Sequence, residues 1–356
     1  MKVESFEIRL MKIPLVKPFV TSLRRVEFVE SIVIIIKTDS GLVGYGESVP
    51  TKEITGDTKE RILDALKVIK NNLLEKNFNN FKDILNIVHN SIDKNSSAKS
   101  AVEIAIYDIA SKRENLPLYK FLGGSFNTIE TSVTVSLGSI ESMVKEVEGL
   151  QREEIYSFKI KLGGDIEEDL LRFSAIQRVL DPSAKLKLDA NQGWSVEETL
   201  YFLKKMKGVK VELLEQPIKA DDIEGLSYIR KNSKVKIMAD ESVFSLEDVK
   251  KVVALGAADI INIKLDKCGG ISKALEIIEF CKRSGVECMM GCMLEGSISV
   301  SAAANLAIAK SDIVTFYDLD APLLFSNNPI KGGVVYNKNI ISPSESMGIG
   351  CVLPTV

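Results

Sequence analysis

The sequence predicts an α/β protein, a closed (β/α) barrel that carries the active site behind a small α+β domain. Three observations support this. From about residue 126 the chain alternates short apolar strands with amphipathic helices, the pattern of parallel βα units. The strand ends fall near Val135, Lys161, Asp189, Glu215, Asp240, Lys264, Gly291 and Asp318, at spacings of 26, 28, 26, 25, 24, 27 and 27 residues. No glycine-rich phosphate turn follows the first of them, so this rhythm fits a closed barrel better than an open doubly wound sheet.

Ahead of the barrel, residues 3–13 alternate, Ile32–Ile36 is a β-branched run, and Gly41–Glu47 follows a turn at Asp39-Ser40-Gly41, which predicts about three antiparallel strands. Thr58–Leu74, Phe81–Ile92 and Ala98–Lys112 carry apolar residues three and four apart, as helices do. Pro117 opens a short segment that ends at Gly123-Gly124. Residues 1–125 therefore read as the α+β domain and residues 126–324 as the barrel. Residues 325–356 lack another strong βα unit and are expected to return to the first domain. A chain of 356 residues is long enough for both parts.

Hydrophobic residues make up 45% and charged residues 27%, with a net charge of −3, an ordinary globular balance that argues against nucleic-acid and membrane-surface partners. The five cysteines, Cys268, Cys281, Cys288, Cys292 and Cys351, form no CxxC pair, so neither a disulfide framework nor a zinc site is expected. Glu4, Glu7 and Arg9 interrupt the N-terminal apolar positions, and no run approaches the roughly 18 apolar residues of a spanning helix. The expected location is cytoplasmic.

In a (β/α) barrel the active site forms where strands meet their following loops, and here those strand ends are largely ionisable. Such charges are costly to bury unless they meet each other, a metal or a substrate. Asp189, Glu215 and Asp240 end the third, fourth and fifth barrel strands. Singly, each reads as a surface acid in a salt bridge; together they offer three hard oxygen ligands, which suit Mg²⁺ better than zinc.

Lys159 and Lys161 project to one face of the second strand, and each ammonium disfavours charge on the other, which casts Lys159 as the residue that tunes Lys161 as a general base. Lys264 ends the sixth strand, diametrically opposite. The two amines would flank a substrate whose carboxylate the metal binds, with one removing an α-proton and the other returning one to the opposite face. The one histidine, His89, lies in a helical segment of the first domain and reads as structural, so the lysine assignment rests partly on elimination.

Gly44-Tyr45-Gly46-Glu47, Lys159-Ile160-Lys161, Asp189-Ala190-Asn191-Gln192-Gly193-Trp194, Glu215-Gln216-Pro217, Ala239-Asp240-Glu241-Ser242 and Ile263-Lys264 resemble, in order and spacing, the muconate-lactonizing-enzyme subgroup of the enolase superfamily. The resemblance covers nearly the whole chain. It implies a capping domain over a (β/α)₇β TIM-like barrel, Mg²⁺ on the residues matching Asp189, Glu215 and Asp240, and acid/base lysines matching Lys161 and Lys264. It also implies that Lys159 tunes Lys161, that a cap loop around residues 17–25 reaches into the site, and that Asn191 and Glu241 support the neighbouring ligands.

On the eighth strand Asp318 and Asp320 share a face and favour a cationic group. The pair resembles that of dipeptide epimerases, which receives the α-ammonium of the N-terminal residue, and Glu295 is placed to assist. Arg24, in the cap loop, suits an anionic side chain such as a C-terminal glutamate. The expected activity is that of a magnesium-dependent isomerase, a dipeptide epimerase working through an enediolate, with L-Ala-D/L-Glu as the best-fitting pair. The same lysines would also serve o-succinylbenzoate synthase, N-acylamino acid racemase or muconate cycloisomerase, whose substrates lack a free ammonium. Outside enzymes, the alternative is a barrel that binds without catalysing. A homo-oligomer is compatible with the sequence, which carries no interface signature.

Overall fold

Strands β1 (Val3–Val20), β2 (Arg25–Thr38) and β3 (Val43–Ser48) form an antiparallel sheet in that order. The computed structural model describes residues 2–74, 76, 80–206 and 210–354; the ends of the two outer predicted segments, residues 1 and 355–356, lie outside the described residues. The first hairpin is longer than the alternation predicts, because pairing resumes beyond Pro14 with Phe19 opposite Val26 and Val20 opposite Arg25. The loop expected around residues 17–25 therefore shrinks to a tip at residues 21–24. Pro14 and Pro18 are tolerated because β1 is an edge strand.

Helices α1 (Lys59–Leu73), α2 (Phe81–Asn90) and α3 (Ser96–Arg113) begin at Thr58, Asn80 and Asn95, whose side chains accept first-turn N–H groups. Almost all of α3 is buried. It lies directly on β3 because Gly44 and Gly46 present no side chain to it, and a Cβ on Gly46 would run into the Ala101 carbonyl. The short helix α4 (Leu118–Phe121) and strand β4 (Ile129–Glu130) lead into the barrel.

The parallel barrel strands are β5 (Val133–Val135), β6 (Ser157–Lys161), β7 (Lys185–Asp189), β8 (Leu213–Glu215), β9 (Lys236–Ala239), β10 (Ile260–Ile263), β11 (Glu287–Gly291) and β12 (Val314–Asp318), adjacent in chain order. Around them run α5 (Ile140–Arg152), α6 (Ile166–Val179), α7 (Val196–Lys205), α8 (Ile223–Asn232), α9 (Leu246–Ala254), α10 (Leu265–Cys268), α11 (Ile271–Ser284) and α12 (Ser297–Ala309). The barrel is nearly closed, with Ser132 N donating to Tyr317 O at 3.3 Å and Thr134 N to the Asp320 carboxylate at 2.7 Å. Asp240 and Lys264 stand one residue beyond β9 and β10; the other predicted strand ends are the observed ones.

Leu213, Met238, Ile260, Met289 and Phe316 form a separate buried apolar layer. Two residues further along the same strands stand Glu215, Asp240, Asn262, Gly291 and Asp318. The period of two thus sets a polar layer on an apolar floor.

Buried carboxylates join the N-terminal part to the barrel. Glu47 accepts from Ile298 N at 2.9 Å and Ser299 N at 3.1 Å, at the start of α12. Glu103 accepts from Ser272 N at 2.5 Å, at the start of α11, and pairs with His89 at 2.9 Å, which gives the histidine a structural place. Each acid meets the partial positive charge of a helix N-terminus.

The chain ends in β13 (Lys331–Gly332), β14 (Val335–Asn337), β15 (Ile340–Ser342) and β16 (Cys351–Val352). This tail touches both parts: β15 pairs with β4 at the entrance to the barrel, while Leu118 N donates to Gly348 O at 2.7 Å and Ile349 N to Asp108 at 2.8 Å in the first part. No described helix is long and apolar enough to cross a membrane.

Candidate active site

A cavity of about 570 Å³, counted with its open mouth, lies where the first hairpin meets the carboxyl ends of the barrel strands. Phe19, Thr21, Leu23 and Arg24 reach it from the hairpin, and Ile54 from the turn after β3. Lys161 and Lys264 both line it, as do Lys159, Asn191, Asp318 and Asp320. Since β6 and β10 are four strands apart in a ring of eight, the two lysines approach from opposite sides.

Asp189, Glu215 and Asp240 are completely buried beneath this cavity, interleaved with ammonium groups. Lys161 Nζ donates to Asp189 Oδ2 at 2.5 Å and to Asn191 Oδ1 at 3.2 Å. Lys264 Nζ donates to Asp240 Oδ2 at 2.7 Å. Lys159 Nζ lies 2.6 Å from Glu215 and Asp318 and 3.0 Å from Asp189. Burial opposes the charge on every one of these groups. Lys159 and Lys161 nevertheless bring Asp189 down to about 2, and Lys264 and Lys267 hold Asp240 below the usual carboxylate range. Asp240 and Glu215 in turn hold Lys264 above the usual amine range.

Glu215 behaves differently. Burial, then the charges of Asp189 and Asp240, push it up to about 8. Its Oε2 lies within ion-pair distance of Lys159 but has no hydrogen-bond donor. Glu241 is likewise raised to about 7, by burial and then by Asp240; Asn191 Nδ2 donates to its Oε1 at 3.1 Å, while Oε2 has no donor. Among the described residues, no three His, Cys, Asp or Glu side chains stand close enough together to hold an ion as they are. The donor chemistry nonetheless fits a hard divalent cation, with buried carboxylates on three adjacent strands and unsatisfied oxygens on Glu215 and Glu241.

Asp318 and Asp320 face the cavity unequally. Asp318 Oδ2 is taken by Lys159, leaving Oδ1 without a donor. Asp320 receives Thr134 N through Oδ2, and burial followed by the charge of Asp318 raises it to about 6. Arg24 has no ion pair or side-chain hydrogen bond among the described residues. It also lines a second cavity beside the first, which it shares with Leu294.

Glu295 turns away from the cavity. Its carboxylate is buried, accepts from Met293 N at 2.6 Å and from Ser299 Oγ, and so ties its own loop to the first turn of α12. It does not line the cavity, as the substrate-binding role expected of it requires; Cys292, Met293 and Leu294 form that wall instead. Alternation along β11 predicts side-chain direction only as far as Gly291, and the loop then reverses it.

Other residues of the site went unmarked in the sequence. Lys267 Nζ donates to Asp240 Oδ1 at 2.5 Å and to Asn262 O at 3.0 Å. Asn262 Nδ2 donates to Glu215 Oε1 at 2.7 Å. Gln216 Oε1 accepts from Asp240 N at 2.9 Å and Ser242 N at 3.2 Å, tying the ends of β8 and β9 together. Asn262 was legible, being two residues before Lys264 on one strand face.

Residues 5–123 match the mandelate racemase / muconate lactonizing enzyme N-terminal domain, and residues 142–354 the enolase C-terminal domain-like family. The chain is 41% identical over 353 residues to the L-Ala-D/L-Glu epimerase of Clostridium acetobutylicum, covering 98% of each. It superposes on a substrate-liganded L-Ala-D/L-Glu epimerase from Bacillus subtilis with a TM-score of 0.97, at 40% identity and 100% of both chains. A dipeptide epimerase from Enterococcus faecalis complexed with Mg and L-Leu-L-Tyr gives a TM-score of 0.95 at 36% identity, over 99% of each chain.

Proposed function

The chain belongs to the mandelate racemase / muconate lactonizing enzyme family, and from that premise we propose a dipeptide epimerase that inverts the α-carbon of the second residue, with L-Ala-D/L-Glu as its preferred pair. The observation that carries this reading is that Lys161 and Lys264 line one cavity from opposite sides, with Asp318 and Asp320 on its wall. One amine, in its neutral form, takes the α-proton and becomes an ammonium. The other, entering as an ammonium, delivers a proton to the opposite face, so one C–H bond breaks, another forms and configuration inverts.

Asp189, Glu215 and Asp240 would hold Mg²⁺, which when bound supplies the positive charge that anchors the substrate carboxylate and stabilises charge developing on it. Asn191 and Glu241 brace this set through their mutual hydrogen bond. Lys159, ion-paired with three carboxylates, keeps a fixed positive charge beneath Lys161. Asp320, with Asp318 beside it, receives the substrate's α-ammonium. Arg24, which feels the charge of Glu53 but forms no ion pair or side-chain hydrogen bond among the described residues, suits a side-chain carboxylate.

The test is incubation with L-Ala-L-Glu and Mg²⁺ in D₂O. Deuterium should enter the glutamate α-position together with the D-epimer, and Asp320→Asn should sharply reduce the rate. Exchange absent from every dipeptide tried would reject the reading. If Asp320→Asn kept full activity while N-acylated amino acids were racemised, an N-acylamino acid racemase would replace it.

A further inference from the structure

Asp169, in the first turn of α6, lies outside the cavity and has no part in the reaction described above. Its carboxylate is nevertheless fully buried and heavily engaged. Oδ2 accepts from Gly163 N and Gly164 N, both at 2.8 Å, and from Trp194 Nε1 at 3.0 Å, while Oδ1 takes Arg172 at 2.9 Å. Gly163 and Gly164 lie just past Lys161, which ends β6, with only Leu162 between. Trp194 closes the loop that leaves Asp189 at the end of β7. One carboxylate therefore joins the two loops that flank the Lys161 amine.

The loops also touch through their backbones, and a Cβ on Gly163 or Gly193 would collide with the facing loop. Between these contacts Asn191 and Gln192 are held at φ 42° and 67°. Left-handed conformations are uncommon outside glycine, though asparagine adopts them more readily than glutamine. Asn191 Oδ1 is the second partner of Lys161 Nζ, and the carbonyls of Ala190 and Asn191 receive Ser22 Oγ from the hairpin tip at 3.5 and 3.3 Å.

We propose that Asp169 is a positioning residue for Lys161: by tying the loops after β6 and β7 together, it holds Asn191 in place against Lys161 and fixes the Lys161 amine against the substrate. This inference rests on the two-lysine reading and has a one-sided consequence. The Lys264 amine is held by Asp240 on the far wall and has no contact with Asp169. Loosening the clamp slows proton removal by Lys161 and spares removal by Lys264.

The test follows α-proton exchange in D₂O with Mg²⁺, starting separately from L-Ala-L-Glu and from L-Ala-D-Glu. Lys161→Ala and Lys264→Ala first assign each diastereomer to the amine that deprotonates it. In Asp169→Asn, whose amide has one accepting oxygen and no charge and must turn its NH2 group towards either Arg172 or the loop donors, exchange from the Lys161 diastereomer falls about ten-fold or more, while exchange from the other stays within about two-fold. Trp194 is the chain's one tryptophan, so a shift in its emission reports release of the clamp in the folded protein. Trp194→Phe removes one donor and should give the same asymmetry at smaller size, which keeps the proposal testable if Asp169→Asn does not fold. Equal slowing from both diastereomers, or unchanged exchange despite shifted emission, overturns the proposal and leaves the two-lysine reading standing. If the lysine variants do not separate the diastereomers, that reading falls, and the role given to Asp169 falls with it.

Discussion

Arg24 and Glu47 show how one side chain's surroundings set its consequence. Arg24 borders the cavity, with the charge of Glu53 nearby but no ion pair or side-chain hydrogen bond among the described residues. A charge-assisted contact of about 1.5–3 kcal/mol predicts that Arg24→Met lowers kcat/KM for L-Ala-L-Glu by roughly ten- to a hundred-fold. A dipeptide ending in an apolar residue should lose far less, and equal losses for both would count against the assignment. Glu47 is raised to about 7 by burial and by Glu295, against the pull of Ser31 and the Ser299 and Ile298 N–H groups. The folded chain therefore binds this proton more tightly than the unfolded one. The contribution of Glu47 to stability is fullest below about pH 4.5, declines as the pH rises towards about 7, and is gone above it. Against Glu47→Gln, unfolding curves taken across that window should diverge by on the order of 3 kcal/mol; parallel curves would exclude it. The site's charges were legible in the sequence because each of the five central residues ends or just follows a barrel strand, where alternation fixes direction. Glu295 was misread, and Lys267 and Asp169 were unmarked, because their partners lie across loops or on another element where periodicity says nothing.

The elements themselves were mostly legible. Spacings of three and four gave α1 to α3, and a βα rhythm gave the barrel, since both reflect burial of one face. The length of the first hairpin was not, because Pro14 and Pro18 break the alternation that β1 resumes at Phe19. The Gly44-Tyr45-Gly46 run matched a motif before its reason was visible. Its two glycines share the strand face on which α3 lies, and the space they leave is filled by the helix backbone. Gly46→Ala should therefore destabilise the protein by about 1–3 kcal/mol or more through overpacking, read as a lower denaturant midpoint. A midpoint equal to that of the parent would mean that the helix can retreat without cost.

Across the whole molecule, the proposed metal role of the carboxylates on β7, β8 and beyond β9 would couple metal binding to stability. Adding Mg²⁺ at about a hundred times its dissociation constant to chelator-treated protein should raise stability by about 2.7 kcal/mol, seen as a higher melting temperature. Asp189→Asn should abolish the gain, and an unmoved melting curve in the parent would remove these residues as ligands. The return of the tail has a different outcome. Because Gly348 and Ile349 fill places beside Leu118 and Asp108, the edge of α3 and α4 is completed only by residues far along the chain, a closure of high contact order whose loop entropy is paid before its hydrogen bonds return anything.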